Sequence, residues 1–303
     1  MMMGYLDDRF HFTLKDKLGS LFDLYVYLDG KFVKGEEAKI SVFDRGLLYG
    51  DAIFEGIRAY NGHLFKLKEH VNRLFESAKC FQMEIPLSKE ELMNAISKTV
   101  EMNGLRDAHV RPLVTRGIGK PGLDPAKAVI PTVIIMAYPY KHWESEKPLT
   151  LTKTYVVSRP SNNLDPKIKC TDYLHSVLAK IKANLAGADD ALMLDSRGFI
   201  AECTTENIWI VKHGKLYTPT TVSALAGITR MTIGEIAREL GYEVFEKDLT
   251  LQNVYTADEL FLCGTGAEIQ PVGTVDGRKI GSGETGQITK KIIDRYQNVV
   301  RGL

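Results

Sequence analysis

Lys169 lies in the segment KIKCTDYLHSVLAK (167–180), two residues before Thr171, a possible helix cap. Its amine therefore stands where a strand or loop feeds a helix. A buried amine near other cations loses proton affinity and becomes nucleophilic. Lys167 is the competitor, and a lone lysine at such a place is most often solvated. Glu202 follows the turn Ser196-Arg197-Gly198 and lies in FIAECTTENIWIV (199–211), where Glu206 is a second carboxylate. In ALAGITR (224–230), Gly227, Ile228 and Thr229 stand at a helix start, whose free N–H groups and dipole attract an anion. A threonine there commonly serves only as a cap. Arg111 sits among apolar residues in HVRPLV. A buried arginine needs a partner, either an internal acid or a carboxylate ligand. The segments DRGLLYGDAIFEGIRAY (44–60) and FLCGTGAEI (261–269) likewise combine polar groups with glycine turns.

These groups need strands and helices to hold them. Hairpin signals are frequent: LYVYL, Asp29-Gly30, KFV; IFEGIRAY, Asn61-Gly62, HLF; and NIWIVK, His213-Gly214, KLY, the last with a weaker turn. HVRPLVT, PTVIIMAY, LTLTKTYVV, DALML and ELFLC read as buried strands. Leu67, Val71, Leu74, Phe75 and Ala78 follow a 3.6-residue period. Ser88 and Glu91 form a capping box for a helix that stops at Gly104. Leu174, Val177, Leu178, Ile181 and Leu185 mark a helix ended at Gly187, and Thr229 is placed to cap one ended at Gly241. The last helix runs from about Gln287 to Val300. Mixed strands and helices, with many hairpins, predict an α/β fold with mixed α+β sheets. A polar, aromatic stretch suggests an interdomain linker at 139–150, between a small N-terminal domain (1–138) and a large domain (151–303).

Composition excludes several classes of function. The chain has 303 residues, 44% hydrophobic and 25% charged, with 39 basic against 38 acidic residues and a net charge of +1. Such a balance suits a folded protein and gives no basic footprint for nucleic acid. A chain this long buries about three quarters of its unfolded surface and needs no disulfide or metal staple. Cys80, Cys170, Cys203 and Cys263 show no metal-ligand spacing, so no metal is expected. There is no secretory pattern, and the longest apolar stretch is too short to span a bilayer, so a cytoplasmic protein is expected. GxGxxG occurs at Gly117-Gly119-Gly122 and at Gly281-Gly283-Gly286. The first runs into Pro125, and the second lacks the later strand and acid of a dinucleotide site. Both read as glycine turns.

The four segments, in their order and spacing, resemble the class IV aminotransferases, pyridoxal-phosphate enzymes of fold type IV. The nearest subgroup is the branched-chain amino acid aminotransferases, and the match covers nearly the whole chain beyond Leu24. The resemblance implies a two-domain enzyme, with a smaller N-terminal α/β domain and a larger C-terminal pseudo-barrel domain, using pyridoxal 5′-phosphate. Lys169 matches the Schiff-base lysine, Tyr173 the tyrosine at the phenolic oxygen, and Glu202 the glutamate facing the ring nitrogen. Arg73, Ile228, Thr229 and Thr265 match phosphate contacts, and Leu225 a residue against the ring. Tyr49, Phe54, Arg58, His109, Arg111, Trp143, Thr205, Thr265 and Gly266 match substrate-site positions, with Tyr140 also resembling a wall residue. Family sites straddle two subunits, so a homodimer or larger homo-oligomer is implied.

Three departures bear on the substrate. His109 stands where branched-chain enzymes carry a tyrosine. Cys203-Thr204-Thr205 replaces a small glycine-containing run, so Thr205 should narrow the pocket floor. The Lys169 to Asp172 spacing matches D-amino acid aminotransferases and aminodeoxychorismate lyases. The expected function is transfer of an amino group from a branched-chain amino acid to 2-oxoglutarate by a ping-pong mechanism, in amino-acid metabolism. Alternatives are a D-amino acid or (R)-amine transaminase, aminodeoxychorismate lyase, or a non-catalytic phosphate-binding module. Cys170, Cys203 and Cys263 lie beside site residues, which raises the expectation that oxidants affect activity.

Overall fold

The computed structural model describes residues 19–140, 147–160 and 162–303. Trp143 and much of the expected linker lie outside the described residues. The chain divides into two compact units, Met1–Val71 with Gln82–Tyr140, and Asn72–Phe81 with Lys141–Leu303. The first unit is thus interrupted, where the sequence reading runs unbroken from 1 to 138.

The first unit contains β1 (Tyr25–Leu28), β2 (Lys31–Lys34), α1 (Arg45–Tyr49), β3 (Ala52–Phe54), β4 (Ile57–Tyr60) and β5 (His63–Leu64). Helix α2 (Leu67–Cys80) begins here and passes into the second unit. Then come α3 (Lys89–Met102), β6 (Ala108–Gly119) and β7 (Ala128–Pro139). The strands form one antiparallel sheet in the order β2-β1-β7-β6-β4-β5, with β3 also on β6. The turns Asp29-Gly30 and Asn61-Gly62 take positive φ at both residues, the twist that two-residue hairpins require. The capping box of α3 is formed in both directions, and its buried Leu92, Ile96 and Val100 follow the helical period.

In β6 the buried Ala108, Val110, Pro112 and Val114 alternate with His109, Arg111 and Leu113. Side chains alternate across a strand, so the second set shares the opposite sheet face. Arg58 pairs with His109, His109 with Tyr138, and Phe54 with Leu113. Phe54, Arg58, His109, Arg111 and Tyr138 therefore lie on one face of this sheet.

The second unit contains β8 (Leu149–Val157), α4 (Leu174–Leu185), β9 (Asp190–Leu194), β10 (Asn207–Lys212), β11 (Lys215–Thr218) and α5 (Ile228–Glu239). It continues through β12 (Val244–Glu246), α6 (Leu251–Tyr255), β13 (Glu259–Gly264), β14 (Glu268–Val275), β15 (Arg278–Lys279) and α7 (Gln287–Val300). The sheet order is β12-β11-β10-β13-β14-β8-β9, with β15 on β14. Helices α4 and α5 each connect a parallel pair, β8 to β9 and β11 to β12, as a parallel crossover demands. Leu149, Leu151, Leu192, Ile208, Ile210, Leu260 and Leu262 form the centre of the core.

Several local expectations change. The cap of α5 is Gly227, with Thr229 inside the first turn, and the residue capping α4 is Tyr173 rather than Thr171. Asp276-Gly277 closes a further hairpin, with positive φ at both residues. Helix α4 packs inward through Ser176, Ala179 and Ala183. The larger Leu174, Val177, Leu178, Ile181 and Leu185, which mark the helix in the sequence, are exposed. Close approach to β8 and β9 admits only the small residues. Gly281 and Gly283 are turn glycines with positive φ, and Glu259 accepts from the N–H groups of Ile288 and Thr289 at the start of α7. A carboxylate thus already satisfies the free N–H groups at that helix end.

Candidate active site

Lys169 and Tyr173 are four residues apart in the non-helical segment that leads into α4. The backbone N–H of Lys169 donates to Ser77 Oγ on α2 (3.2 Å), and its Nζ donates to the Tyr173 hydroxyl (3.3 Å). Lys169 is half-buried, whereas Lys167 is exposed. The structure thus separates the two lysines that sequence spacing leaves in competition.

Glu202 Oε2 accepts from the backbone N–H of Leu225 (3.1 Å) and from Asn207 Nδ2 (3.3 Å). Asn207 Nδ2 also donates to the Leu225 carbonyl (2.9 Å), so one amide ties the carboxylate to the segment before α5. Burial pushes Glu202 up to about 7, against the Leu225 hydrogen bond and the charges of Lys169 and Arg159. A carboxylate held this way gains from a cationic partner. Glu206 is placed differently. It accepts from the N–H and hydroxyl of Thr205, and burial and the nearby Asp190 also raise it above the ordinary carboxylate range. Asp190 accepts in turn from the Thr204 hydroxyl (2.7 Å). Tyr173, Lys180, Asp190, Thr205, Glu206 and Gln270 line a cavity of about 340 Å³.

Helix α5 begins without a side-chain cap. A Cβ on Gly227 would meet Asn207 Oδ1 at 2.1 Å, so only glycine allows this approach. Arg73 Nη1 donates to the Ala226 carbonyl (2.8 Å), one residue before that cap. Uncapped N–H groups and a guanidinium thus meet at the start of a helix, the arrangement that binds a phosphate. Leu225, Ile228 and Thr229 belong to the same segment. Thr265 and Gly266 lie in the three-residue turn 265–267 between β13 and β14. Glu268 ends that turn with a φ of +56° and is held by Gln297 Nε2 (2.6 Å).

In the first unit, the Arg111 guanidinium lies over the Phe54 ring, 4.1 Å from its centre. Among the described residues Arg111 makes no ion pair, so the internal acid that could have explained it is not found there. His109 stacks on Tyr138 with ring centres 5.3 Å apart, and Arg58 lies 3.8 Å over Tyr140. Tyr49 is exposed, and its hydroxyl accepts from the Gly122 N–H (2.8 Å).

The three thiols beside site residues lie in the interior. Cys170, Cys203 and Cys263 are buried. Burial raises Cys203 well above the ordinary thiol value and pushes Cys263 up to about 12. Thiolate is the reactive form, and burial disfavours it at these two positions. Asn207 and Arg159 are the residues that sequence reasoning passes over. A polar residue heading the buried run of β10 is a usable signal, since a buried amide needs partners. Arg159 carries no comparable signal. Among the described residues no group of three metal-binding side chains occurs, and no helix is long and apolar enough to cross a membrane.

Comparison with known proteins identifies the family. The amino-transferase class IV family matches residues 52–275. A Methanocaldococcus jannaschii protein, provisionally named a branched-chain-amino-acid aminotransferase, is 50% identical over 275 residues, 90% of this chain and 96% of that protein. The branched-chain-amino-acid aminotransferase of Pseudomonas aeruginosa is 39% identical, over 92% of this chain and 94% of its own. Among solved structures, the branched-chain amino acid aminotransferase of Thermobaculum terrenum, in its PLP-bound holo form, has a TM-score of 0.84 at 32% identity, covering 92% of this chain and 94% of that one. The chain belongs to the class IV aminotransferases and is an aminotransferase of fold type IV.

Proposed function

We propose that this enzyme transfers the amino group of a branched-chain amino acid to 2-oxoglutarate in two alternating halves, donor first and acceptor second. Its cofactor is pyridoxal 5′-phosphate, and the residues fit that group. The uncapped start of α5 and Arg73 suit a phosphate, Glu202 suits a protonated ring nitrogen, and Lys169 offers an amine beside a phenol. When bound, the cofactor supplies an aldehyde that captures amines, a cationic ring that takes up the electron pair left at the α-carbon, and a carrier for the amino group.

Each residue then has a defined task. Ile228, Thr229, Thr265 and Arg73 hold the phosphate, and Leu225 packs against the ring. Glu202 keeps the ring nitrogen protonated by hydrogen bonding as a carboxylate. Tyr173 donates to the phenolic oxygen and orients the Lys169 amine. Lys169 would anchor the cofactor, and its amine is the group that would take up and return the proton of the substrate α-carbon. Arg111 binds the side-chain carboxylate of the acidic substrate, with His109 and Arg58 beside it on the same sheet face. By the family resemblance Phe54 is assigned to the aliphatic chain and Tyr49, with Arg111, to the acidic side chain, and in the second unit the turn at Thr265 and Gly266 is assigned to the α-carboxylate.

The observation that carries this reading is Lys169, hydrogen-bonded to the Tyr173 hydroxyl and near enough for its charge to favour the carboxylate of the buried Glu202. We further propose a cytoplasmic homodimer or larger homo-oligomer. The exposed apolar face of α4, and Leu47 and Leu48 on α1, support self-association; the cysteines, none in a disulfide, fit a reducing compartment. The test is the visible absorbance of the cofactor-loaded protein during titration with L-leucine, D-alanine and (R)-1-phenylethylamine. L-leucine should abolish the lysine-bound band, and 2-oxoglutarate should restore it. A response to D-alanine or the (R)-amine alone overturns the branched-chain assignment.

A further inference from the structure

Arg159 follows β8 where the chain leaves the sheet, and its base is fixed. The N–H of the buried Ser158 donates to the Leu194 carbonyl (2.9 Å), and the Ser158 hydroxyl donates to the Ser223 carbonyl (2.8 Å). From there the guanidinium reaches the segment that carries the amine. Nη1 donates to Cys170 Sγ (3.0 Å) and Nη2 to the Ile168 carbonyl (3.4 Å). These are the two chain neighbours of Lys169. The same guanidinium lies 6.0 Å from the centre of the Tyr173 ring.

We propose that Arg159 is a positioning residue of the active centre, clamping the Lys169 segment from both sides. The proposal rests on the aminotransferase reading above. Lys169 is then held at three points: its N–H by Ser77, the carbonyl before it and the thiol after it by Arg159. The stem is fixed, and the freedom left to the side chain is that of the Nζ end. A planar guanidinium can serve two acceptors in fixed directions, which one ammonium cannot. The charge acts in the useful sense. It draws Glu202 down against burial, favouring the carboxylate that a cationic ring needs, and it helps keep His175 neutral.

The experiment uses cofactor-loaded wild type, Arg159→Met, Arg159→Lys and Lys169→Ala. It measures kcat and KM for L-leucine and the pH midpoint of the visible absorbance. Loss of a nearby positive charge makes neighbouring protons harder to remove, so Arg159→Met should move the midpoint up by about one pH unit. Misplacement of the amine should lower kcat about tenfold or more, with KM little changed. Arg159→Lys should restore the midpoint but recover kcat only in part. An Arg159→Met enzyme with wild-type kcat and midpoint overturns the proposal. Wild-type kcat in Arg159→Lys overturns the clamp even where Arg159→Met does not fold. If Lys169→Ala keeps the wild-type band, the amine assignment fails and takes the proposal with it. If that band is lost while the Arg159 variants match wild type, only the role of Arg159 falls.

Discussion

The Nζ of Lys169 stands 3.3 Å from the phenolic oxygen of Tyr173, four residues further along the chain. The backbone at both ends is fixed, Lys169 by Ser77 and Tyr173 by its N–H donating to the Thr171 carbonyl (2.9 Å). The pair therefore belongs to the protein itself and is formed before a substrate arrives. Tyr173→Phe removes the hydroxyl and leaves the ring. The expected outcome is retained cofactor, a displaced visible band and a fall in kcat of about ten- to a hundredfold. Single-turnover kinetics with L-leucine checks it, and an unchanged rate would remove Tyr173 from the proton path.

Glu202 and Glu206 give the cofactor-free protein a distinctive pH dependence. Both titrate higher in the folded chain than an ordinary glutamate, Glu202 at about 7. Between the ordinary value and about pH 7, the folded state binds more protons than the unfolded state. Stability should therefore fall as pH rises through this window and level off once both are ionised. Melting temperature from pH 5 to 8 measures this. Glu202→Gln should flatten part of the slope, because the amide needs no proton. It should also lower kcat on the order of a hundredfold by removing the negative charge at the ring nitrogen. A slope unchanged by the substitution would contradict the burial assigned to Glu202.

How far the sequence reveals this site follows from the range of each interaction. The family resemblance singles out Lys169, Tyr173 and Glu202, whereas the residues alone leave Lys167 and Glu206 in competition, because the surroundings of each depend on contacts distant in the chain. The three hairpins read from the sequence are present, since local backbone twist specifies them. Gly227 is different. Its role depends on Asn207, which lies on another strand, and a threonine two residues later offers a more familiar cap. Arg159 is invisible for the same reason, as its partners are set by the path of 168–170 after leaving β8. Period locates α4 but misleads about its face, because Ala179 and Ala183 outrank the larger residues where a helix lies close to a sheet. Likewise, the periodicity of α2 cannot say that residues 72–81 group with the second unit.

Gly227 turns that long-range contact into a test. A methyl group there would meet Asn207 Oδ1 at 2.1 Å, and Asn207 holds both Glu202 and the Leu225 carbonyl. Gly227→Ala must displace the amide, the start of α5, or both. The expected loss of stability is about 1–3 kcal/mol, typical of overpacking. Weaker cofactor binding should accompany it, because carboxylate and anion site shift together. Gly214→Ala is a useful control, since a Cβ there meets open space and only its positive φ is strained. Thermal melting and cofactor titration separate the two effects. Equal cofactor affinity in Gly227→Ala and wild type would show that Asn207 does not couple them.

In the proposed reaction Arg111 is the residue that tells acidic from aliphatic substrates. Its guanidinium is half-buried over Phe54, and among the described residues it has no acid partner. A side-chain carboxylate would supply one, whereas a branched aliphatic chain gains nothing from the charge. Arg111→Gln keeps length and polarity but loses the cation and its paired donors. A site built around a hydrogen-bonded carboxylate discriminates strongly, so kcat/KM for 2-oxoglutarate should fall about a hundredfold or more. The half-reaction with L-leucine should change by no more than a few fold. Single-turnover measurement of each half keeps the two substrates apart. Equal losses in both halves would assign Arg111 to the α-carboxylate shared by all substrates, and a loss confined to L-leucine would remove it from acid recognition.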